Sequence, residues 1–359
     1  MMDENFDFGT YFYEAQKKLG RANIIITGKT GVGKSTLINS VFGQDLAKVG
    51  VGTPVTQNIQ EYTKDGIPIS LFDTRGLELG NYQEIAKELK GEIGKRRGAD
   101  PDKHIHICWY CINDTSKRLE DCEFEFVREL SSSVKVIVVL TQSLNKEDKT
   151  FYNFIKEKFY SIAQVIPVLA LPYPTPLGDI PSFGLNDLVA ITIDALPEAQ
   201  RNAFIKAQQI DFEAKVTKAR SIVAGAAVSA AAAGAVPIPI ADAAVLAPIQ
   251  VGMIASISLT MGLELNKAFL TTIVTSAAGV IGASYAGRAI VSGLLKLIPG
   301  AGTLVGGAIS AATAATLTTT MGITYIEALS FLIKNGKEMT AEVISATWMG
   351  TLRSSKGLL

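Results

Sequence analysis

Gly28-Lys29-Thr30-Gly31-Val32-Gly33-Lys34-Ser35 decides how the rest of the chain is read. An apolar β-branched run, residues 23–27 (NIIIT), precedes it. Residues 35–42 follow, with Leu37, Ile38, Val41 and Phe42 on a 3.6-residue stripe. The order is therefore strand, glycine-rich turn, helix. Glycines at 28, 31 and 33 let successive backbone N–H groups point into one concavity, and the helix beginning near Lys34 adds the positive end of its dipole. Such a cradle takes a polyphosphate. Thr30, Gly31, Val32, Gly33, Lys34, Ser35 and Thr36 would line it, Lys34 would reach the β- and γ-phosphates, and the Ser35 hydroxyl would ligate Mg2+.

Outward from the loop, residues 67–72 form a second apolar strand ending in Asp73-Thr74-Arg75-Gly76, thirty-nine residues beyond Lys34. An aspartate there suits the Mg2+ side of a bound triphosphate, acting through a water, and Gly76 admits close approach of backbone to a γ-phosphate. Gly52-Thr53-Pro54-Val55-Thr56 reads as a loop just ahead of the next strand. A threonine hydroxyl in it, Thr56 first and Thr53 in reserve, closes the Mg2+ shell only while the γ-phosphate is present, which makes the loop a switch. The expected metal ligands are thus Ser35, Thr56 and Asp73. The expected catalytic set is Lys34, Thr56, Arg75 and Gly76.

The remaining pattern to residue 197 alternates short apolar runs with helix-length segments. Residues 59–63 and 67–72 flank Lys64-Asp65-Gly66, a hairpin signal that adds one antiparallel edge. Strands are expected at 104–112, 134–140 and 165–169, and helices at 82–95, 122–130, 151–160 and 185–196, with a proline-rich loop at 172–181. Strands separated by helices of that length imply an α/β domain with a mainly parallel sheet. The aromatic set Phe6, Phe8, Tyr11, Phe12 and Tyr13 reads as a short helix packed on that domain. His104, His106 and Cys108 share one strand face without a further ligand at metal spacing, so a packed strand is the reading. Cys108-Trp109-Tyr110-Cys111 puts its thiols on opposite faces and is not a redox motif.

Composition bounds the function. The chain has 359 residues, with 34 basic and 34 acidic, so no chain-wide basic field exists to hold nucleic acid. Charged residues make up only 19%, and the apolar fraction excludes intrinsic disorder. Three cysteines at no framework spacing argue against a disulfide scaffold and fit a reducing compartment. Residues 1–10 carry Asp3, Glu4 and Asp7 without an apolar core, unlike a secretory signal.

The charge is unevenly placed. Residues 216–359 hold nine basic and five acidic side chains, and 221–333 hold only six charges, leaving uncharged runs at 221–241, 243–263, 268–287 and 297–326. Residues 198–220 read as one polar helix with an Ala203, Phe204, Ala207, Ile210, Ala214 stripe. Pro237-Ile238-Pro239 and Pro299-Gly300 mark turns between helical hairpins. Each uncharged run meets the ~20-residue length of a membrane helix. Against that, Ala, Gly, Ser and Thr dominate the runs and gain little from leaving water. Close helix packing in a soluble bundle uses the same residues. The expected division is an N-terminal helix at 1–20, an α/β domain at 21–197 and an all-α hydrophobic helical domain at 198–359.

With these pieces in order, roughly the first 200 residues resemble the P-loop GTPases of the translation-factor class. GKTGVGKSTLINSVFG, VGTPVTQ and LFDTRGLE are similar to the Era-like and immunity-related branches, and HIHICWYCIN to the matching segment of septin-like G domains. The resemblance implies GTP and GDP with Mg2+ as cofactors, slow hydrolysis and a conformational switch. The family reads guanine with [NT]-K-x-D after a strand, where the aspartate accepts from the base. Here the strand ends in Thr141-Gln142-Ser143-Leu144, and a literal Asn145-Lys146-Glu147-Asp148 comes four residues late, about 13 Å of chain. Either Asn145, Lys146 and Asp148 swing onto the base, or Thr141 and Gln142 serve it in register. Leu77 stands where many members carry a glutamine that orients the attacking water. Arg75, or a group from a second G domain in a homodimer, would have to supply that contact.

The second half resembles the Ala/Gly-rich helical domain behind G domains in a group of poorly characterised bacterial GTPases, on AGAVPIPIADAAVLAPIQVGMI at 233–254. That resemblance implies membrane lipid as a partner and a place on the cytoplasmic face of a membrane. The alternative is a cytoplasmic protein whose helical domain is an effector or self-assembly module. No nucleic-acid partner is expected, since the second half has no Lys/Arg cluster and no aromatic RNA platform.

Overall fold

The computed structural model describes residues 20–43, 51–55, 59–74, 82–98, 100–145, 149–160, 163–234, 241–264, 266–278 and 311–354. The expected N-terminal aromatic helix and both proline turns of the second half lie outside them. Contacts divide the chain into one unit at Leu19–Phe212 and another that holds Glu213–Leu359.

Among the described residues of the first unit seven strands make one sheet: β1 (Ala22–Thr27), β2 (Val51–Pro54), β3 (Ile59–Lys64), β4 (Ile67–Thr74), β5 (Ile107–Asn113), β6 (Lys135–Thr141) and β7 (Ala163–Pro167). Their order is β2-β3-β4-β1-β5-β6-β7. The five from β4 to β7 run parallel, and the β2-β3-β4 edge is antiparallel. The sequence predicted this fold class, a mainly parallel sheet with one hairpin edge. It missed β2. Residues 51–54, expected as loop, pair with β3 from Val51↔Thr63 to Pro54↔Gln60. Proline ends that strand, a place a sheet tolerates it because it is on the edge.

The period of two explains the layering. Ile24 and Ile26 of β1 join one core with Leu71, Trp109, Ile137 and Val139. Ile25 joins the other with Phe72, Tyr110, Val136 and Val138. The first face is covered by α1 (Lys34–Phe42), α5 (Leu185–Ala195) and α6 (Glu198–Ala207). The second is covered by α2 (Tyr82–Arg97), α3 (Asp121–Ser131) and α4 (Thr150–Lys158). Trp109 centres the first face, with Phe42 stacked at 6.0 Å, Phe204 edge-on at 6.3 Å and Nε1–H donating to Thr192 Oγ1 at 3.1 Å. Each aromatic pair adds about 0.5–1.5 kcal/mol beyond its buried area.

Two expectations change here. Residues 198–220 are not one helix. The buried Gln208 side chain accepts from Ile210 N at 2.8 Å and Asp211 N at 2.7 Å and donates to Asp211 O at 2.8 Å, replacing the helical ladder. The chain breaks there, so α6 packs on the sheet with the first unit, although the sequence had grouped it with the second. Likewise the strand expected from residue 104 begins at Ile107. Asn23 Nδ2 donates to Asp102 O and His104 O, holding 102–106 in a tight turn over β1.

The second unit holds α7 (Phe212–Gly234), α8 (Ala241–Thr260), α9 (Lys267–Ala278), α10 (Ala311–Lys334) and α11 (Ala341–Ser354). Helices α7 and α10 run antiparallel: Glu213 pairs with Lys334 at 3.6 Å, Val223 meets Gly322, and Gly234 meets Ala311 and Ala314. Helix α8 runs parallel to α10, with Gln250 on Thr318 at 3.3 Å and Ser258 on Tyr325 at 2.7 Å. Trp348 of α11 lies edge-on to Tyr325 at 4.9 Å and donates to Thr324 Oγ1 at 3.1 Å. Small residues at 234, 314 and 322 are what let these helices approach closely.

Candidate nucleotide-binding site

The loop after β1 sits at the C-terminal edge of the parallel strands, where β4 and β5 depart to opposite sides of β1, the place where open α/β sheets bind ligands. Its path is set by neighbours. Gly28 has φ +139, and a Cβ there would stand 2.3 Å from the Cys111 carbonyl oxygen of β5. Gly33, at φ +96, is the left-handed residue that opens α1, whose first turn has no side-chain cap. The amides of that turn are therefore left for an anion. Val32 is buried, whereas Thr30, Gly31, Ser35 and Thr36 are exposed. Lys34 curls over the loop, donating to Gly28 O at 2.8 Å and Lys29 O at 3.0 Å. Two of its three N–H bonds thus brace the cradle, leaving the third direction to a ligand.

Asp73 is half-buried at the end of β4, in register with Ile26 of β1 and Gln60 of β3. Beside it Thr74 and Thr27 hydroxyls share a buried hydrogen bond of 2.6 Å that ties β4 to β1. Ser35 and Asp73 offer hard oxygen donors, the set that suits Mg2+. Thr56, Arg75 and Gly76 lie outside the described residues. Thr53 belongs to β2 rather than to a loop.

The far wall comes from the end of β6. Thr141 is buried, and its hydroxyl lies on Val32 O and on Ile112 O. Gln142, at φ +53, donates from Nε2 to Gly31 O at 3.1 Å and accepts on Oε1 from Asn113 Nδ2 at 3.3 Å. Thr141 and Gln142, one of the two alternatives for reading the base, are therefore both engaged with the phosphate loop. Asn145 is exposed, and Lys146 and Asp148 lie outside the described residues.

Two clusters escaped the sequence reading. Lys29 Nζ lies 3.0 Å from Glu120 Oε1 and 3.1 Å from Glu123 Oε2. Burial acts to lower the Lys29 pKa, but the hydrogen bonds Lys29 donates to Glu120 and Glu123, with their charges, outweigh it and leave it raised. Asp114, just past β5, accepts from Ser143 Oγ at 2.7 Å and from Lys117 Nζ at 3.1 Å, fixing the turn that carries Gln142. Signals for both were present: Glu120-x-x-Glu123 has capping-box spacing, and Asn113-Asp114 ends a buried strand. His106, by contrast, spends both ring nitrogens structurally, accepting on Nδ1 from Asn23 N at 3.0 Å with Nε2 3.1 Å from Pro101 O.

A parallel sheet with a glycine loop opening the helix after β1, a lysine and serine at its end and an aspartate on the neighbouring strand defines the G domain of a P-loop GTPase. Residues 23–168 match the family described as 50S ribosome-binding GTPase, and residues 201–350 match the domain of unknown function DUF697. The chain thus carries a P-loop GTPase G domain followed by a DUF697 domain. Neuronal-specific septin-3 of Danio rerio is 26% identical over 173 residues, covering 39% of this chain and 48% of that protein. Septin-9 of Rattus norvegicus is 27% identical over 167 residues, covering 39% and 30%. The chain therefore spans less than half the length of these curated relatives. A crystal structure described as a probable GTP-binding protein engB aligns at 20% identity and a TM-score of 0.33, covering 48% of this chain and 98% of that one.

Proposed function

We propose that the chain binds GTP and GDP with Mg2+, hydrolyses GTP slowly and works as a nucleotide-driven switch. The observation that carries this reading is the cradle itself: loop carbonyls held from behind by Thr141, Gln142 and Lys34, so that the loop amides and the uncapped start of α1 are left for phosphate. Residues 30–36 hold the phosphates, and Ser35, Thr56 and Asp73 hold Mg2+, which supplies charge neutralisation at the β- and γ-phosphates. Lys34 would take the same phosphate oxygens, and Arg75 and Gly76 are the residues assigned to the γ-phosphate. Since Thr141 and Gln142 are engaged with the loop, the base falls to Asn145, Lys146 and Asp148. Leu77 cannot orient water, which supports a low intrinsic rate and a contact supplied by a second G domain. Within the P-loop GTPases, the quoted motifs support the Era-like and immunity-related branches of the translation-factor class.

Lys34→Ala is expected to abolish binding of a fluorescent GTP analogue, and retained tight binding would refute the site. Competition by GTP against ATP tests the base assignment. Specific GTPase rate against protein concentration tests the homodimer, and a flat line removes it.

The second unit is proposed to associate with a membrane on its cytoplasmic face. Helix α10 is 24 residues long and apolar enough to cross a bilayer. Hydroxyls of Ser229, Thr316 and Thr320 turn back onto carbonyls one turn earlier, so these donors are satisfied without water. A soluble effector or self-assembly module is the second reading, favoured by the polar seam Gln250–Thr318, Ser258–Tyr325 and Thr324–Trp348 and by 56% burial of the apolar stretch of α10. Liposome flotation with and without a non-hydrolysable GTP analogue separates them, and absence of flotation in both states leaves the soluble module.

A further inference from the structure

Glu123 is a carboxylate only 3% exposed, in the first turn of α3, and its surroundings account for every oxygen. Tyr110 OH of β5 donates to Oε1 at 3.1 Å. The Glu120 amide donates to Oε2 at 3.0 Å, the reciprocal half of a capping box that starts α3. Lys29 Nζ donates to the same Oε2 at 3.1 Å and is the cation paired with it. A buried charge without its counter-ion is strongly unfavourable, so the position of Glu123 requires an ammonium at this point. That ammonium belongs to the second residue of the phosphate loop. Glu120, the other carboxylate on Lys29, is more exposed and shared with Arg118 at 3.5 Å. The strong end of the contact is therefore Glu123.

We infer that Lys29 is a positioning residue for the nucleotide loop, tying it through Glu123 to the start of α3 and to Tyr110 of β5. The role rests on the loop being the nucleotide site. Its ammonium is already committed to two carboxylates, so it acts on phosphate by fixing the backbone, not by contact. Gln142 and Thr141 hold the loop at Gly31 and Val32 from the β6 side, and Lys29 holds its beginning from the α3 side. The loop is thus fastened at Lys29 on one side and at Gly31 and Val32 on the other. Movement of the α3 start would be felt at the phosphates by the same route.

The test is a double-mutant cycle on full-length protein, read as affinity for a fluorescent GDP analogue with Mg2+. Lys29→Met is expected to weaken binding on the order of ten-fold, within the usual coupling of contacting charged pairs. Lys29→Arg is expected to restore most of it. Lys29→Met/Glu123→Gln is expected to bind more tightly than Lys29→Met alone, because the uncompensated buried charge is gone. A lysine that touches phosphate directly would instead leave the double variant as weak as the single one, and that result overturns the inference. So does unchanged binding by Lys29→Met. Thermal melts of each variant accompany the titrations, and Glu123→Gln alone serves where Lys29→Met does not fold: it should weaken binding while retaining Lys29. If the unaltered protein binds no nucleotide, the site reading fails; if it binds and the cycle shows no coupling, only the positioning role fails.

Discussion

Replacing Gly28 by alanine tests whether β5 dictates the path of the phosphate loop. The added Cβ would meet Cys111 O at 2.3 Å and Cys111 C at 3.2 Å. Unbonded carbon and oxygen rest at about 3.3 Å or more, so the overlap is close to 1 Å. The obstructing atom is backbone of a central strand, paired with Val139 of β6, and has no rotamer to escape into. Backbone held in a region that glycine alone favours costs about 1–3 kcal/mol. Forcing extra volume into a packed place adds about 1–3 kcal/mol. The total, about 2–6 kcal/mol, is a large share of the roughly 5–15 kcal/mol that stabilises a domain. Gly33→Ala is the internal comparison. Its φ is +96, yet the nearest atom to an added Cβ is Gln142 Nε2 at 3.6 Å, so only the backbone cost of about 1–3 kcal/mol applies. Urea unfolding without nucleotide, in a Trp348→Phe background so that Trp109 reports on the first unit, measures both. Gly28→Ala should lie at least about 1 kcal/mol below Gly33→Ala. Coincident midpoints would refute the close approach as the reason for glycine at 28.

Burial pushes the His106 pKa down, with His104 adding to the shift and the Pro101 carbonyl opposing it. The unfolded chain then takes up a proton at higher pH than the folded one, so stability present above about pH 6.5 is lost on acidification through that value. Melting temperature against pH should fall more steeply in the unaltered protein than in His106→Gln, and parallel profiles would contradict this. Arg96 lies 4.5 Å over the Phe72 ring and pairs with Glu61 of β3 at 3.2 Å and with Glu92, joining α2 to the hairpin. Arg96→Ala should cost about 1–2 kcal/mol in urea unfolding, cation–π and ion-pair contributions together. In the second unit, a Cβ on Gly322 would stand 2.4 Å from Val223 Cγ2. Gly322→Ala should lower stability by about 1–3 kcal/mol despite alanine's better helix propensity. Adding Val223→Ala should recover part of it, and no recovery would mean that the α7–α10 contact is not the obstacle.

The eight residues from Gly28 to Ser35, the alternation of apolar side chains along β1, β5 and β6, and the Asp65-Gly66 turn determined the parallel sheet, its hairpin edge and the glycine loop that opens α1. These are local properties: a period of two, a glycine spacing, a turn dipeptide. What only the folded chain decided is long-range. Thr141 and Gln142 fall on the loop carbonyls more than a hundred residues away, Lys29 falls between the carboxylates of Glu120 and Glu123 at the start of α3, and Gln208 cuts one expected helix into two that belong to different units. A side chain's donor count can be read from its identity, but which acceptor it meets depends on strand order, and strand order is set by packing both faces of the sheet at once. The same holds for α7 and α10, where small residues permit contact in any register. The pairing of Val223 with Gly322, of Gly234 with Ala311 and Ala314, and of Glu213 with Lys334 fixes one.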